Sequence, residues 1–127
     1  MALEQAKIKP RQLDLIIPHG TGIFDDDIAE AGGIQKALGI AVDKIPVFPT
    51  KSMISNTGAA AGAVDVIVAC CAIKDGIIPA SKNCERINKG CRLNIVKEQI
   101  RKKINYALCC SYTYGGQTAA IVLKKYE

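Results

Sequence analysis

Tryptophan is absent, and aromatic residues make up only 5% of the chain, as four tyrosines and two phenylalanines. With so few large rings, the interior has to be packed by aliphatic and small side chains, chiefly Ala, Ile and Val. No uninterrupted apolar run approaches the roughly 18 residues of a membrane-spanning helix, and the stretch Met1 to Pro10 has no apolar segment of the signal-peptide kind. Neither a membrane partner nor a secretory leader is expected, and the cytoplasm is the expected location. There is one histidine, and the six cysteines stand as Cys70-Cys71, Cys84, Cys91 and Cys109-Cys110, with no CxxC pair. That spacing argues against a zinc site, so no metal and no cofactor are expected. Without a leader a disulfide framework has little support, and most of these cysteines read as buried thiols. The net charge of +5 is spread along the chain without aromatic interleaving, which argues against nucleic acid as a partner.

What is present is ordinary globular material, 49% hydrophobic and 23% charged over 127 residues, enough for one domain. Leu3, Ala6 and Ile8 fit the end of an amphipathic helix, and Pro10 breaks it before an apolar run from Leu13 to Pro18 that reads as a buried strand. His19-Gly20-Thr21-Gly22 is a turn. Asp25, Asp26 and Asp27 then offer capping carboxylates to a helix through Ile28, Ala31, Ile34 and Leu38, closed by Gly39. A short strand from Ile45 to Phe48 leads into the small-residue run Gly58 to Ala72, a helix expected to be nearly all buried on a sheet. Residues 76–90 read as a loop, with a short extended segment at Leu93 to Val96 and a basic stretch from Lys97 to Lys103. Two strands, Ile104 to Ser111 and Thr118 to Lys124, flank a hairpin signal at Tyr114-Gly115-Gly116. The order implies an α/β domain, a mixed sheet with helices packed on it.

His19 is the first candidate for chemistry. It is the one side chain that titrates near neutrality unperturbed, and it lies just past the carboxyl end of a buried strand, where open α/β sheets place ligands. Position alone supports a turn-capping histidine equally well.

The surrounding residues resemble a known family. His19-Gly20-Thr21-Gly22, with Asp27 eight residues after His19 and Glu30 three further, is similar to the HGTGT-x-x-x-D-x-x-E motif of β-ketoacyl synthases, the condensing enzymes of fatty-acid and polyketide synthesis. Lys51-Ser52-Met53-Ile54-Ser55-Asn56 with Ala59-Ala60-Ala61-Gly62 resembles their KSxxGHxxGAAG. Lys74-Asp75-Gly76-Ile77-Ile78-Pro79 resembles KDGxxPP, and Asn105-Tyr106-Ala107-Leu108 through Gly115-Gly116 resembles DYALSNSFGFGG. The order and spacing agree along essentially the whole chain, which makes a chance match improbable.

The resemblance implies a thiolase-like fold of two similar α/β halves, with a nucleophilic cysteine on the first half and two histidines on the second. Residues 1–127 correspond to the second half alone, an incomplete C-terminal synthase domain that needs an N-terminal half or another subunit. It further implies a sheet of order 3-2-1-4-5 whose first, central strand precedes Met1 and is absent from this chain. A sheet without its centre would leave two rows of backbone groups unpaired. Either another chain supplies the strand, or the strands from Leu13 and Ile104 pair directly or across copies, so an oligomer is expected.

By the same resemblance His19 would polarise the malonyl thioester carbonyl and stabilise the enolate left by decarboxylation. Asn56 stands where elongating synthases carry their second histidine. Cys-His-Asn enzymes of the type III ketoacyl synthase and chalcone synthase kind use an asparagine in that role, whereas drift in a non-catalytic chain-length-factor-like subunit is the competing reading. Lys51 and Asp65 would form a supporting pair, and Asp27 and Glu30 would support the histidine turn. Tyr114 takes the position of the gating aromatic and, with Gly115, the oxyanion turn; Thr113 replaces a hinge glycine there. Cys110, on a strand, is a poor nucleophile candidate. The bases Lys82, Arg86, Lys89, Arg92, Lys97, Arg101, Lys102 and Lys103 suit either a solvated face or docking of an acidic acyl carrier protein. The readings left open are part of a condensing enzyme, a non-catalytic subunit that shapes a tunnel or binds a carrier protein, and an inactive fragment.

Overall fold

The computed structural model describes residues 1–126. A short helix α1, Ala2–Gln5, ends at Lys7, whose φ of 54° is left-handed, and a 3-10 turn at Pro10–Gln12 turns the chain into strand β1, Leu15–Ile17. Helix α2, Phe24–Leu38, follows the histidine turn and buries Ala31, Ile34 and Leu38, a spacing that puts all three on one face. Gly39, at φ 60°, ends it as expected. The three aspartates in its first turn complement the positive end of the helix, but none of them caps it. The N-cap is Ile23, and Asp27 Oδ1 instead accepts a hydrogen bond from Gly22 N at 3.3 Å, outside the helix.

A four-residue helix α3, Lys51–Ile54, and a 3-10 turn at Gly58–Ala60 lead into α4, Ala61–Asp75, which stops at left-handed Gly76. Beyond it β2, Ile77–Ile78, pairs antiparallel with β3, Ile100–Arg101, so the expected loop and basic stretch carry a small ladder of their own. The chain closes with the hairpin β4, Tyr106–Tyr112, and β5, Thr118–Lys124.

The main sheet takes one of its two expected forms. β1 pairs directly and in parallel with β4, in the register Leu15↔Ala107, Ile16↔Leu108, Ile17↔Cys109, and β4 pairs antiparallel with β5 over seven positions. On its other edge β1 meets Val47, which in turn meets Ile95, both as single parallel bridges. The expected strand from Ile45 to Phe48 and the extended segment at Leu93 to Val96 are thereby reduced to one bridging residue each. No central gap exists, because β1 itself is paired on both edges. Of the two outcomes foreseen for the sheet, direct pairing of the runs from Leu13 and Ile104 is the one found. The unpaired-backbone ground for an oligomer falls with it.

Side chains alternate across this sheet with the strand period of two. Leu15, Ile17, Ala107 and Cys109 join Ala69, Ala72 and Ile73 of α4 on one face. Ile16, Leu108 and Cys110 join Ile34 and Leu38 of α2, with Ile8, on the other. Two expectations about burial fail. α4 buries only Ala61, Asp65, Ala69, Ala72 and Ile73, the side that faces the sheet, and its other side is left uncovered by the described residues. Of the six thiols only Cys109 and Cys110 are buried, whereas Cys70 and Cys71 are exposed on α4.

Candidate functional site

The site begins where β1 ends. Pro18 stops the strand, and the next two backbone N–H groups, of His19 and Gly20, both donate to the Glu30 carboxylate, at 2.7 Å to Oε1 and 2.8 Å to Oε2. Glu30 lies in α2, so this two-point bond ties the histidine turn to the helix that follows it. Gly20 has φ 50° and faces Pro49; a Cβ there would stand 3.2 Å from Pro49 Cβ, so the position favours glycine on both counts. Burial raises the pKa of Glu30, against the lowering effect of the two N–H donors, and burial likewise raises that of Asp27.

His19 has its imidazole edge-on to the Tyr112 ring, with centroids 5.7 Å apart and planes at 85°. Its pKa is lowered, first by burial and then by the positive charge of Lys51. Nδ1 is buried without a hydrogen-bond partner. A proton there would be an unsatisfied buried donor, so the neutral ring is better served with its proton on Nε2, which makes Nε2 the donor available to a ligand.

Asn56 and Tyr114 come to the same place from elsewhere in the chain. A cleft of about 350 Å³ is lined by His19, Thr21, Asp27, Glu30, Asn56, Tyr112, Thr113 and Tyr114. Asn56 sits in the bend between α3 and α4, after Ser55 with its left-handed φ of 63°. Its Oδ1 accepts from Gly58 N at 3.0 Å, which fixes the amide and leaves Nδ2 as a donor. Tyr114 tops the β4–β5 turn, closed by Gly116 N to Thr113 O and Thr113 N to Gln117 O, each 3.0 Å. Gly115 lies in that turn but is not among the residues lining the cleft.

Lys51 and Asp65 form the expected pair, Nζ to Oδ2 at 2.9 Å, with both side chains almost fully buried. Thr50 Oγ1 donates to the other oxygen, Asp65 Oδ1. The pair does not line the His19 cleft. Lys51 instead lines a neighbouring cavity of about 460 Å³ on the other side of the histidine turn, together with Gly20, Thr21, Cys84, Arg86 and Cys91. Thr50 and Tyr112 went unnoticed in the sequence. Thr50 had a usable signal, since a buried carboxylate needs a second donor, but nothing local in the chain shows that Tyr112 meets His19.

Four of the six thiols are poor nucleophiles. Burial pushes Cys109 up to about 12 and Cys110 up to about 11, and it raises the half-buried Cys84 and Cys91 as well. No group of His, Cys, Asp and Glu suited to a metal ion occurs among the described residues. Of the basic residues, Lys82, Arg86, Lys89, Arg92, Lys97, Arg101 and Lys103 are exposed, while Lys102 bridges Asp14 at 3.1 Å. No helix among the described residues is long and apolar enough to cross a membrane.

The model of the family described as "Beta-ketoacyl synthase, C-terminal domain" matches residues 1–85. The chain is 35% identical over 127 residues to 3-oxoacyl-[acyl-carrier-protein] synthase 2 of Rhizobium meliloti (strain 1021), covering 99% of this chain and 30% of that protein. It is 34% identical over 125 residues to the protein of the same name from Coxiella burnetii, covering 98% and 30%. Among solved structures, a type II polyketide ketosynthase bound to its acyl-carrier protein superposes with a TM-score of 0.94 at 28% identity, over 100% of this chain and 31% of that one. The ishigamide ketosynthase/chain length factor gives 0.92 at 26% identity, over 98% and 31%. The thiolase-like α/β class is therefore the fold, and the chain spans about 30% of the length of the curated relatives it matches.

Proposed function

This chain belongs to the β-ketoacyl synthase C-terminal domain family, and on that premise we propose that it is the histidine-bearing part of a decarboxylative condensing enzyme of fatty-acid or polyketide synthesis. Residues 1–127 are then an incomplete domain, completed by a cysteine-bearing half on another segment or subunit, with an acyl carrier protein delivering malonyl and acyl groups in the cytoplasm.

The observation that carries this reading is the convergence of His19, Asn56 and Tyr114 on one cleft. Loss of carbon dioxide from a malonyl thioester leaves an enolate whose oxygen needs hydrogen-bond donors already in place. The neutral His19 imidazole, protonated on Nε2, is one such donor. The Asn56 amide is a second, held by its bond to Gly58 N, and it cannot ionise, so it polarises without acting as acid or base. Glu30 and Asp27 keep the histidine turn in register. The Lys51–Asp65 pair braces α3 against α4 beneath Asn56, and the Tyr114–Gly115 turn supplies a gate and a backbone donor to the partner's acyl cysteine. Exposed bases from Lys82 to Lys103 suit an acidic carrier protein.

A non-catalytic, chain-length-factor-like role is the second reading. It is favoured by Thr113, where a non-glycine stands at the hinge of the gate.

Two measurements test the proposal. Incubated alone with an acyl-carrier donor, the chain should show no thioester on any of its six cysteines by mass spectrometry. Co-expressed with the cysteine-bearing segment of a matched synthase, it should support condensation that His19→Ala abolishes and that Asn56→Ala slows by about 2 to 4 kcal/mol of barrier. A stoichiometric acyl adduct on the chain alone, or full activity in His19→Ala, would sink it.

A further inference from the structure

Tyr114 borders the His19 cleft although it is 91% exposed, so its ring stands at the mouth and not in the interior. Three hydrogen bonds within residues 113–117 fix the turn that carries it. Thr113 N donates to Gln117 O and Gly116 N to Thr113 O, each at 3.0 Å, and the Thr113 Oγ1 hydroxyl donates to Gln117 Oε1. Two of the three join Thr113 to Gln117, one between backbones and one between side chains, which closes the base of the turn on both counts.

The Gln117 amide lies against the tip of the same turn. A Cβ built on Gly115 would stand 2.7 Å from Gln117 Oε1 and 3.3 Å from its Cδ and Nε2, so any side chain at Gly115 would push the amide off Thr113. Gly116, at φ 81°, supplies the left-handed step back toward β5. At the hinge position itself Thr113 stands in place of a glycine. Its β-branch restricts the backbone there, and its hydroxyl adds a donor that glycine lacks. One residue thus removes the freedom of the hinge and ties its two ends together. Thr113 and Gln117 are both exposed, so water competes for each group and the side-chain bond can break and reform without disturbing the core.

We propose that Thr113 and Gln117 are positioning residues for Tyr114, their side-chain bond acting as a latch that holds the ring out of the His19 cleft. With the latch made, the cleft faces an incoming thioester. With it broken, the apolar ring folds over the cleft and covers His19. The inference rests on the reading of Tyr114 as the gate, but it concerns the position of that ring in the chain alone. A failure of condensation therefore leaves it standing, and its own failure leaves the roles of His19 and Asn56 untouched.

The chain has one histidine, so His19 is its own reporter. In the isotopically labelled full chain, relaxation of the His19 ring signals by a dissolved gadolinium chelate measures how open the cleft is, and backbone amide relaxation at Tyr114, Gly115 and Gly116 measures how mobile the turn is. Thr113→Val keeps the β-branch and loses the hydroxyl. It should lower the chelate's effect on His19 by about two- to tenfold, the change that one hydrogen bond makes in a two-state population. The order parameters of the turn should fall from about 0.85 toward about 0.6. Gln117→Leu should do the same, whereas Thr113→Ser, which keeps the donor, should match the original chain. Adding Tyr114→Ala to Thr113→Val should reopen the cleft. An unchanged His19 signal in both Thr113→Val and Gln117→Leu, or a Thr113→Ser that behaves as Thr113→Val, would overturn the latch.

Discussion

β1 and β5 are strands of similar apolar composition, Leu-Ile-Ile in the first and Ala-Ala-Ile-Val-Leu within the second, yet they live in different surroundings. Leu15, Ile16 and Ile17 are all 0% exposed, with a helix layer on each face, β4 on one edge and the bridging Val47 on the other. In β5 the residues Ala119, Ala120 and Ile121 are exposed, and only Val122 and Leu123 are partly covered. Composition alone does not assign burial. Which strand becomes core depends on where the helices lie, and α4 packs mainly on β4 and α2 on the opposite face at Ile16 and Leu108, which leaves the start of β5 outside both. The candidate site spans this divide. His19 leaves the end of the covered strand, while Tyr114 caps the hairpin that carries the exposed one.

The contrast is broken most strongly at the buried charge. Asp65→Ala strands the Lys51 ammonium in the covered half and should cost about 3 to 5 kcal/mol in urea unfolding. A uniform replacement of the pair by apolar residues should be far milder, and equal losses in both would remove the pair from the stability account.

Truncating the two strands at equivalent residues sharpens the contrast. Ile16→Ala should cost about 2 to 5 kcal/mol by creating a cavity, whereas Ile121→Ala in the single chain should cost under about 1 kcal/mol because its side chain is already wet. Equal costs at low concentration would mean that β5 is covered by something within the chain.

At the junction, Glu30→Ala removes the acceptor for both the His19 and Gly20 N–H groups. A loss of about 1 to 3 kcal/mol is expected, with faster amide exchange at those two residues as the specific readout.

The smallest effect is a titration. The chain has one histidine, so a single imidazole signal reports it. Its midpoint should fall below the ordinary 6.5, since burial and Lys51 both disfavour the imidazolium. Tyr112→Ala, which wets the ring, should move the midpoint back up. The linkage has a definite sign. The unfolded chain takes up its proton first as pH drops through 6.5, so His19 removes stability from there down to its folded midpoint. Asp27 and Glu30, with raised values, act in the opposite sense and favour the folded state increasingly as pH falls toward theirs. A His19 midpoint at or above 6.5 would contradict the buried, neutral ring.

Much of this was legible in the chain. Apolar runs located β1, β4 and β5, helical spacing located α2, Gly39 marked its end, and the spaced motifs identified the family and brought His19, Asn56 and Tyr114 forward together. These features are local, set by backbone sterics and by residues a few positions apart. Strand neighbours are not local. The pairing of Leu15 with Ala107 joins segments far apart in sequence, and nothing in either run states that they touch, so β1, β4 and β5 were found while their pairing stayed open between two outcomes and the short β2–β3 ladder was missed. Burial of α4 and of the cysteines failed for the same reason. The sequence by itself determined which segments are helix or strand and which side chains can donate, accept or pair. Only the tertiary structure decided which of the apolar faces is covered, because burial is a property of what arrives on the other side.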